Sequence, residues 1–286
     1  MRVAVLGTGM MGTGMAHSLL RNGLDVTVWN RHPEKARLLA DDGATVAESV
    51  ADAVRDADVV LTMLFDEAAT SEAASTFLDA MKSDAVWMQS ATVGPQGARR
   101  LAALAAQHGV SFLDAPVLGT RQPAETGTLV VLVAGQPQFL DDVNLVLDAI
   151  GSKTVMAGAT VGDASALKLA CNAWIAMITA GTAQSLVMCE ALGVDPKLFL
   201  EALDGGPSNA PYIQLKGKLM LAGDRAPSFA LGGLLKDLNL MLDAVAPTET
   251  STGVLTAVRD VFHEASASGH DGEDVSAVVT AFGKLG

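Results

Sequence analysis

Cysteine is scarce in this chain of 286 residues, which contains only Cys171 and Cys189. If both lie on one helix, they are about 27 Å apart at roughly 1.5 Å per residue and cannot form an intrachain disulfide. This excludes a disulfide framework and suits a reducing compartment. The sequence also starts with a strand-like run, MRVAVLGTG, without the successive regions of a signal peptide. We therefore expect a cytoplasmic protein.

Aromatic residues make up only 4% of the chain, and 19 Lys and Arg face 32 Asp and Glu. Since half of the residues are hydrophobic, we expect a core built from Ala, Val, Leu and Met. The formal net charge of −13 disfavours a nucleic-acid partner, because binding to a polyphosphate requires a positive surface. A local basic pocket for one small anion remains compatible with this charge.

Several signatures of catalysis and binding are missing as well. The five histidines show no HxxxH or similar spacing, so no metal site is expected, and no GxSxG or CxxC motif occurs. The most apolar segment is a poor membrane span because it carries polar and charged residues, namely Lys168, Asn172, Gln184 and Glu190. We expect neither a membrane nor a nucleic acid as partner.

A glycine-rich turn follows the first strand-like segment, residues 2–6. In the motif GTGMMG, Gly7, Gly9 and Gly12 stand in GxGxxG register before a helix-like segment. In a dinucleotide site these glycines permit a tight turn, close approach of a pyrophosphate and packing of helix on strand. The alternative is an ordinary glycine-rich βα turn. The predicted cofactor contacts here are Gly7, Gly9, Met10, Met11 and Gly12.

The second strand-like segment ends in Asn30 and Arg31, where an NAD site usually has Asp or Glu. A carboxylate would repel a 2′-phosphate, whereas a guanidinium can pair with it bidentately. We therefore predict NADP(H) as cofactor, with Asn30 and Arg31 at the adenosine ribose. In the alternative, Arg31 belongs with Lys35 and Arg37 to a solvated helix face.

Strand-like and helix-like segments alternate up to residue 156, and only helical patterns follow. The predicted strands are 2–6, 26–29, 58–64, 85–89, 111–115, 129–134 and 153–156, and the predicted helices between them include 33–42, 49–57, 67–82, 94–108 and 137–150. This alternation predicts an α/β fold with a parallel, doubly wound sheet. Ligands of such sheets bind beyond the carboxyl ends of the strands. The loops after three strands are therefore candidate sites, and Leu64 and Thr92 lie in them.

We expect two domains, a nucleotide-binding domain over residues 1–160 and an all-α domain over 161–286. The second domain starts with a long linking helix, 161–194, and continues with helical stretches at 196–204, 212–221, 234–246, 253–267 and 275–282. Its apolar faces suggest packing against another copy of the chain, in a homodimer or homotetramer. A lone helical bundle is the alternative.

Lys168 and Asn172 stand four residues apart in the long apolar segment. If that segment is one helix, this spacing places the ammonium and the amide on one face, one turn apart. A positioned ammonium can stabilise negative charge on a carbonyl oxygen during reduction and supply the proton, while an amide can orient a substrate. In the alternative, Lys168 extends to solvent and Asn172 fills a packing gap.

Five elements in this order resemble the β-hydroxyacid dehydrogenase family, which includes 3-hydroxyisobutyrate dehydrogenases and tartronate semialdehyde reductases and is related to the imine reductases. The elements are VAVLGTGMMGTGMAHSLLRNGLDVTVWNR at 3–31, DAPV at 114–117 with GTL at 127–129, the Lys168 and Asn172 pair, FALGGLLKDLNLML at 229–242, and GHDGEDVSAVV at 269–279. The resemblance runs nearly the whole length of the chain.

The resemblance implies a Rossmann domain and a helical domain joined by a long helix, usually in dimers or tetramers. Together with the NADP(H) site predicted from Asn30 and Arg31, it implies NADPH-dependent hydride transfer to or from a small β-hydroxy acid or semialdehyde. Lys168 would be the catalytic acid/base and Asn172 would hold the substrate. Lys236 would line the same cleft, in contact with the cofactor, and Thr92 would lie near the nicotinamide.

The chain departs from the family pattern after DAPV, where members typically have Ser-Gly-Gly and this chain has Leu118, Gly119 and Thr120. The serine hydroxyl is lost, and a substrate carboxylate would be held by the N–H groups of Gly119 and Thr120 or by Arg121. Near Leu118 we expect a more apolar pocket. A second departure is Gln89, near a position where an acidic residue is more common.

Two other functions remain as alternatives. An imine reductase would share both domains and reduce C=N bonds, but that group usually replaces the lysine at the position of Lys168. A catalytically silent oligomerisation module would lose this lysine or the dinucleotide glycines, and both are present here.

Overall fold

The computed structural model describes residues 1–283, so the last three residues of the predicted helical domain, 284–286, lie outside the described part. The chain divides into two compact units, Met1–Lys168 and a second unit that begins at Leu169. The first unit is an α/β domain, and the second contains helices joined by loops, with no strand in its described part.

The first unit contains one sheet of nine strands. They are β1 (Arg2–Leu6), β2 (Asp25–Trp29), β3 (Thr45–Val46), β4 (Val59–Thr62), β5 (Val86–Gln89), β6 (Ser111–Asp114), β7 (Val117–Leu118), β8 (Leu129–Ala134) and β9 (Gly151–Gly158). The order is β3-β2-β1-β4-β5-β6-β8-β7, and β9 pairs with β8. From β3 to β6 all neighbours are parallel, which confirms the doubly wound prediction.

The far edge of the sheet differs from the all-parallel prediction. Strand β8 runs antiparallel to both β6 and β7, although its neighbour β9 is again parallel to it. The sequence did not predict β7 because a strand of two residues is too short for its side-chain alternation to be recognised.

Seven α-helices lie entirely within the first unit, and a 3-10 helix, Leu78–Ala80, follows the fourth of them. The seven are α1 (Met10–Arg21), α2 (Pro33–Arg37), α3 (Val50–Val54), α4 (Glu67–Phe77), α5 (Gly94–Gln107), α6 (Arg121–Thr126) and α7 (Gln138–Ile150). Helix α2 is shorter than predicted and α6 was not predicted. Apolar cores lie on the two faces of the sheet, one including Met15 and Leu19 of α1, the other centred on Trp87. Phe77 and Phe112 pack edge-on against Trp87, with distances of 5.2 and 5.0 Å between the ring centroids.

A single helix of 29 residues, α8 (Asp163–Ala191), confirms the predicted linking helix. Lys168, the last residue of the first unit, and Asn172 in the second unit both lie on it. By length and composition alone α8 could also cross a membrane, and 44% of its most apolar window is buried in the protein.

The second unit continues with α9 (Lys197–Leu203), α10 (Pro211–Ala222), α11 (Leu231–Val245) and α12 (Gly253–Ala265). A π-helical turn, Ser266–His270, and a 3-10 helix, Val275–Phe282, complete the described residues. The last predicted helix thus exists but is wound more tightly. One apolar core joins α8 to α12, with Leu234, Leu238 and Phe262 fully buried.

Candidate active site and cofactor site

The turn between β1 and α1 requires glycine at two of its three motif positions. Gly7 has φ = +104°, and a Cβ atom there would lie 2.4 Å from the carbonyl oxygen of Met63. A Cβ atom on Gly12 would lie 1.8 Å from the carbonyl oxygen of Gly7. At Gly9, by contrast, no protein atom among residues 1–283 lies within 4 Å of the Cβ position. Packing therefore explains Gly7 and Gly12, and Gly9 borders open space.

This turn fits the diphosphate of a dinucleotide. Gly9 is the N-cap of α1, whose first turn at Met10 and Met11 presents backbone N–H groups and the positive end of the helix dipole. The hydroxyl of Thr8 is buried, and within the described residues it has no hydrogen-bond partner. Leu64 borders the same turn, with its Cδ2 atom 3.0 Å from the Cβ position of Gly7.

Asn30 ties the glycine-rich turn to the end of β2. Its Oδ1 atom accepts a hydrogen bond from the N–H of Thr8 at 3.2 Å, and its Nδ2 atom donates to the carbonyl of His32 at 3.0 Å. Asn30 was predicted to contact the adenosine ribose. In the structure its amide joins the glycine-rich turn, at Thr8, to the backbone of His32, next to the predicted ribose site at Asn30 and Arg31.

Arg31 forms an exposed ion pair with Glu72 of α4. Its Nη2 atom lies 2.8 Å from the carboxylate, and the two side chains are 62% and 73% exposed. The guanidinium thus already binds one anionic group at the end of β2. Exposed ion pairs of this kind contribute little to stability.

Polar side chains stand in register at the carboxyl ends of three neighbouring strands. Thr62, Gln89 and Asp114 are paired across β4, β5 and β6, and all three are fully buried. Gln89 contacts Thr62 and also holds the backbone of Ala91, accepting from its N–H and donating to its carbonyl, each at 2.8 Å. The unusual glutamine therefore shapes the loop that carries Thr92.

The segment predicted to hold the substrate consists of the end of β7 and the start of α6. Leu118 packs in an apolar cluster with Val130 and with Leu167 of α8. Gly119 has φ = +136°, and a Cβ atom there would lie 2.6 Å from the side chain of Leu129, so only glycine fits. The segment follows Asp114 closely, at the same end of the sheet.

Thr120 and Arg121 begin α6. Thr120 is its N-cap residue without a side-chain capping bond, and the guanidinium of Arg121 lies 2.8 Å from the carboxylate of Glu125. Helix α6 packs closely on α1, because a Cβ atom on Gly14 would lie only 2.8 Å from the Cβ atom of Ala124. The predicted substrate segment is thereby fixed to the helix that borders the nucleotide turn.

Asp114 holds the start of α8, a role that its place in the DAPV element did not reveal. Its Oδ2 atom accepts hydrogen bonds from the N–H groups of Gly162 and Ser165, both at 3.0 Å, and its Oδ1 atom accepts one from the Ser165 hydroxyl at 2.7 Å. Burial, the largest cause, raises the pKa of Asp114, although these hydrogen bonds oppose the shift. This role of Asp114 is recognisable only from the structure, where the end of β6 contacts the start of α8.

Lys168 and Asn172 lie one turn apart on α8, and only 8% and 3% of their surfaces are exposed. The burial of Lys168 excludes the alternative in which it extends freely to solvent. In the second unit the Nδ2 atom of Asn172 donates to Oδ2 of Asp237 at 2.7 Å, and Lys236 forms an ion pair with the other oxygen of Asp237, also at 2.7 Å.

Asp237 is a site residue that the sequence did not single out. It connects the predicted residues Asn172 and Lys236, and it is 97% buried, with 3% exposure. The signal available was its position next to Lys236 in the largely apolar helix α11. Among residues 1–283, no group of three or more His, Cys, Asp or Glu side chains is arranged to hold a metal ion.

Two family models match the chain. Residues 2–158 match the NAD binding domain of 6-phosphogluconate dehydrogenase, and residues 162–282 match the family described as NAD-binding of NADP-dependent 3-hydroxyisobutyrate dehydrogenase.

Curated relatives match over nearly the whole chain. L-threonate dehydrogenase of Cupriavidus necator is 31% identical, over 98% of this chain and 95% of its own length. The chloroplastic glyoxylate/succinic semialdehyde reductase 2 of Arabidopsis thaliana is 30% identical, over 98% of this chain and 78% of its own length.

Solved structures show the same arrangement of elements. The 3-hydroxyisobutyrate dehydrogenase of Mycobacterium tuberculosis with L-serine has a TM-score of 0.89 and 29% identity, over 99% of both chains. An imine reductase of Myxococcus stipitatus with NADP+ is also similar, with a TM-score of 0.69 and 25% identity, over 99% of this chain and 100% of its own.

Proposed function

Since this chain belongs to the β-hydroxyacid dehydrogenase family, we propose that it is an NADPH-dependent reductase of small semialdehydes or keto acids, with Lys168 as acid/base. Its family places it among oxidoreductases that use a nicotinamide cofactor and act on small molecules. The preference for NADPH, the substrate class and the role of the lysine are the proposal. The observation that carries it is the buried pair of Lys168 and Asn172 on α8.

The cofactor would be held at the start of α1. Backbone N–H groups after Gly9 and the hydroxyl of Thr8 would bind the diphosphate, and Arg31 would bind the 2′-phosphate in exchange for Glu72. When bound, the nicotinamide supplies or accepts the hydride. These assignments are supported by the open space at Gly9 and by the accessible guanidinium of Arg31.

Lys168 would donate the proton to the carbonyl oxygen of the substrate. An ammonium within reach of that oxygen both stabilises its developing negative charge and supplies the proton, and in the reverse direction the amine accepts it. Asn172 would orient the substrate through its amide, since Asp237 fixes that amide by accepting a hydrogen bond from Nδ2. A substrate carboxylate would bind near Gly119, Thr120 and Arg121.

Turnover measurements test the reaction and the lysine together. We expect the purified protein to oxidise NADPH with succinic semialdehyde or glyoxylate, and Lys168→Ala to lower kcat by about 10²- to 10⁴-fold. Lys218→Ala removes an exposed lysine of α10 and serves as the matched control. Unchanged turnover in Lys168→Ala would contradict the acid/base assignment.

The second candidate is an imine reductase, which the likeness to the Myxococcus stipitatus enzyme favours. The presence of a buried lysine supports carbonyl reduction, since an ammonium can stabilise and protonate the oxygen on which negative charge develops. The discriminating measurement adds cyclic imines to the same panel. Turnover of imines without any aldehyde or keto acid activity would reverse the ranking.

Cofactor binding is tested at Gly9, where a methyl group meets no protein atom. Gly9→Ala should fold with a loss of about 1 kcal/mol or less at the N-cap, while its methyl group obstructs the diphosphate and weakens NADPH binding. Gly253→Ala, another glycine without nearby atoms, is the control. Equal NADPH affinity of both variants and the wild type would place the cofactor elsewhere.

We also propose a cytoplasmic homodimer or homotetramer that associates through α8. Trp174, Gly181 and Met188 recur every seven residues on this helix, and Trp174 and Met188 are 61% and 55% exposed. A two-fold axis at Gly181 would set Trp174 against the partner's Met188 and cover both. Analytical ultracentrifugation tests this interface. Trp174→Glu should sediment as a monomer, whereas the control Val254→Glu, at another exposed apolar residue, should sediment like the wild type. If Trp174→Glu had the same mass as the wild type, the interface would be refuted.

A further inference from the structure

Asp114 is a fully buried carboxylate whose three hydrogen bonds all come from the start of α8. The donors are the N–H of Gly162, the N–H of Ser165 and the hydroxyl of Ser165. Since a helix leaves the N–H groups of its first turn without intrahelical acceptors, one carboxylate here satisfies two such groups. Its negative charge is also favourable beside the positive end of the helix dipole.

The backbone that leads into α8 is shaped for this contact. Gly162 has φ = +102°, a conformation that other residues rarely adopt, and a Cβ atom there would lie 3.0 Å from Nε of Arg99. That Nε atom donates to the carbonyl of Val161 at 3.3 Å. The chain therefore enters the helix in one defined conformation, with the N–H of Gly162 pointing at Asp114.

Ser165 connects this anchor to Lys168. The two residues are three positions apart on α8 and are therefore neighbours on the same face of the helix. Two of the three hydrogen bonds to Asp114 come from Ser165, which is 2% exposed, and Lys168 is itself 8% exposed. Ser165, which lies three residues before Lys168 on the same helix face, is thus bound to the end of β6 by two hydrogen bonds.

We propose that Asp114 is a positioning residue for Lys168, acting through the first turn of α8. The inference rests on the proposed role of Lys168 as acid/base. Proton transfer depends steeply on distance, so a small displacement of the ammonium lowers the rate even when the substrate still binds. Asp114 would therefore contribute to kcat without touching the substrate or the cofactor.

The chemistry of the three contacts supplies a conservative variant. In Asp114→Asn the amide oxygen can accept from both N–H groups, and the amide NH2 can donate to the oxygen of Ser165. This variant keeps the three contacts and removes the charge, whereas Asp114→Ala removes both. A comparison of Asp114→Asn with Asp114→Ala therefore separates the effect of the hydrogen bonds that position α8 from the effect of the Asp114 charge on Lys168.

The experiment measures kcat, KM for the aldehyde, the dissociation constant of NADPH and the pH profile of kcat. For Asp114→Ala we expect kcat to fall by up to about 10²-fold, with NADPH binding nearly unchanged. Asp114→Asn should recover most of the lost kcat with the pH profile of the wild type, and Ser165→Ala should lie between. Asp148→Asn, the same change at an exposed aspartate of α7, is the control.

Three results would overturn the inference. If Asp114→Ala keeps the wild-type kcat per folded molecule, Asp114 has a structural role only. If Asp114→Asn is as slow as Asp114→Ala, with a shifted pH profile, the charge and not the position matters. If the wild type turns over no carbonyl substrate, or if Lys168→Ala is fully active, the proposed function fails, and the inference fails with it.

Discussion

Two aspartates among residues 1–283 are fully buried, Asp114 in the first unit and Asp274 in the second. Asp114 accepts its three hydrogen bonds from neutral groups of α8. Asp274 instead contacts the ammonium of Lys216 with both oxygens, at 2.7 and 2.9 Å, and Lys216 is fully buried too. The same side chain, equally buried, is thus used once with neutral donors and once in an ion pair.

The two pKa values shift in opposite directions. Burial raises the pKa of Asp114 above its ordinary value, and the hydrogen bonds do not overcome it. Burial acts in the same sense on Asp274, but hydrogen bonds from Lys216 and from the backbone of Ser276 and Ser228 outweigh it, so that the net pKa is lowered. Asp274 therefore stabilises the folded state as a carboxylate, whereas Asp114 keeps its charge at a cost in stability.

The largest effect is expected from Asp274→Ala. It leaves the ammonium of Lys216 buried without its carboxylate, and unfolding should require about 3–5 kcal/mol less free energy. Asp260→Ala removes an exposed carboxylate from α12 and is the control. Chemical unfolding followed by circular dichroism measures both. A loss as small as that of the control would show that the ion pair contributes nothing.

Lys216→Met should cost less than Asp274→Ala, about 1–3 kcal/mol, because the carboxylate then keeps other donors. These are the N–H and hydroxyl of Ser228 and the N–H groups of Phe229 and Ser276. Lys218→Met, two positions along the same helix but exposed, is the matched control. A larger loss than that of Asp274→Ala would invert the expected order.

The pH dependence of stability sharpens the contrast. The contribution of Asp274 is present above the unfolded pKa, near 3.8, and is lost as the pH falls through its lower folded pKa. For Asp114 the penalty is complete above its raised folded pKa and disappears as the pH falls towards 3.8.

The predicted direction for Asp114 is tested by measuring the free energy of unfolding of the wild type and of Asp114→Asn at pH 7 and at pH 4.5. Both pH values lie above the ordinary pKa of an aspartate, about 3.9. Between them the wild type should gain stability relative to the variant, because only the wild type loses a buried charge. Parallel pH dependences would show that the Asp114 carboxylate carries no penalty.

The smallest effect on stability is expected for the exposed pair of Arg31 and Glu72. Glu72→Gln should change the free energy of unfolding by less than about 0.5 kcal/mol. It should nevertheless raise kcat/KM for NADPH relative to NADH, because Arg31 no longer has to exchange a carboxylate for the 2′-phosphate. Glu34→Gln, an exposed neighbour of Arg31, is the control. An unchanged ratio would remove Glu72 from the cofactor site.

Much of the fold could be predicted because its signals are local. The strand-turn-helix of residues 2–21 has glycines at positions that hard contacts enforce, and α8 is long and apolar enough to be read as one helix. Strand β7 and helix α6 could not be predicted, because two and six residues carry too little periodicity and depend on β8 and α1 for their stability.

The sequence indicated candidate residues where a motif contains them and not where distant residues meet. Gly12 stands out by its GxGxxG spacing, and Lys168 and Asn172 by the resemblance to the family. Asp114 and Asp237, by contrast, bind residues 51 and 65 positions away. No local pattern reports a hydrogen bond over such separations. Gln89 was noticed only as a departure from the family, and its clamp on Ala91 required the structure.

The contact between Gly14 and Ala124 has a consequence for protein engineering. The segment that carries Thr120 and Arg121 can pack against α1 only because α1 has no side chain at Gly14. If this segment binds the substrate as proposed, exchanging it with that of a relative should alter substrate preference, provided that the donor segment has a residue no larger than alanine at the position of Ala124. A bulkier residue there would push the transplanted segment away from α1.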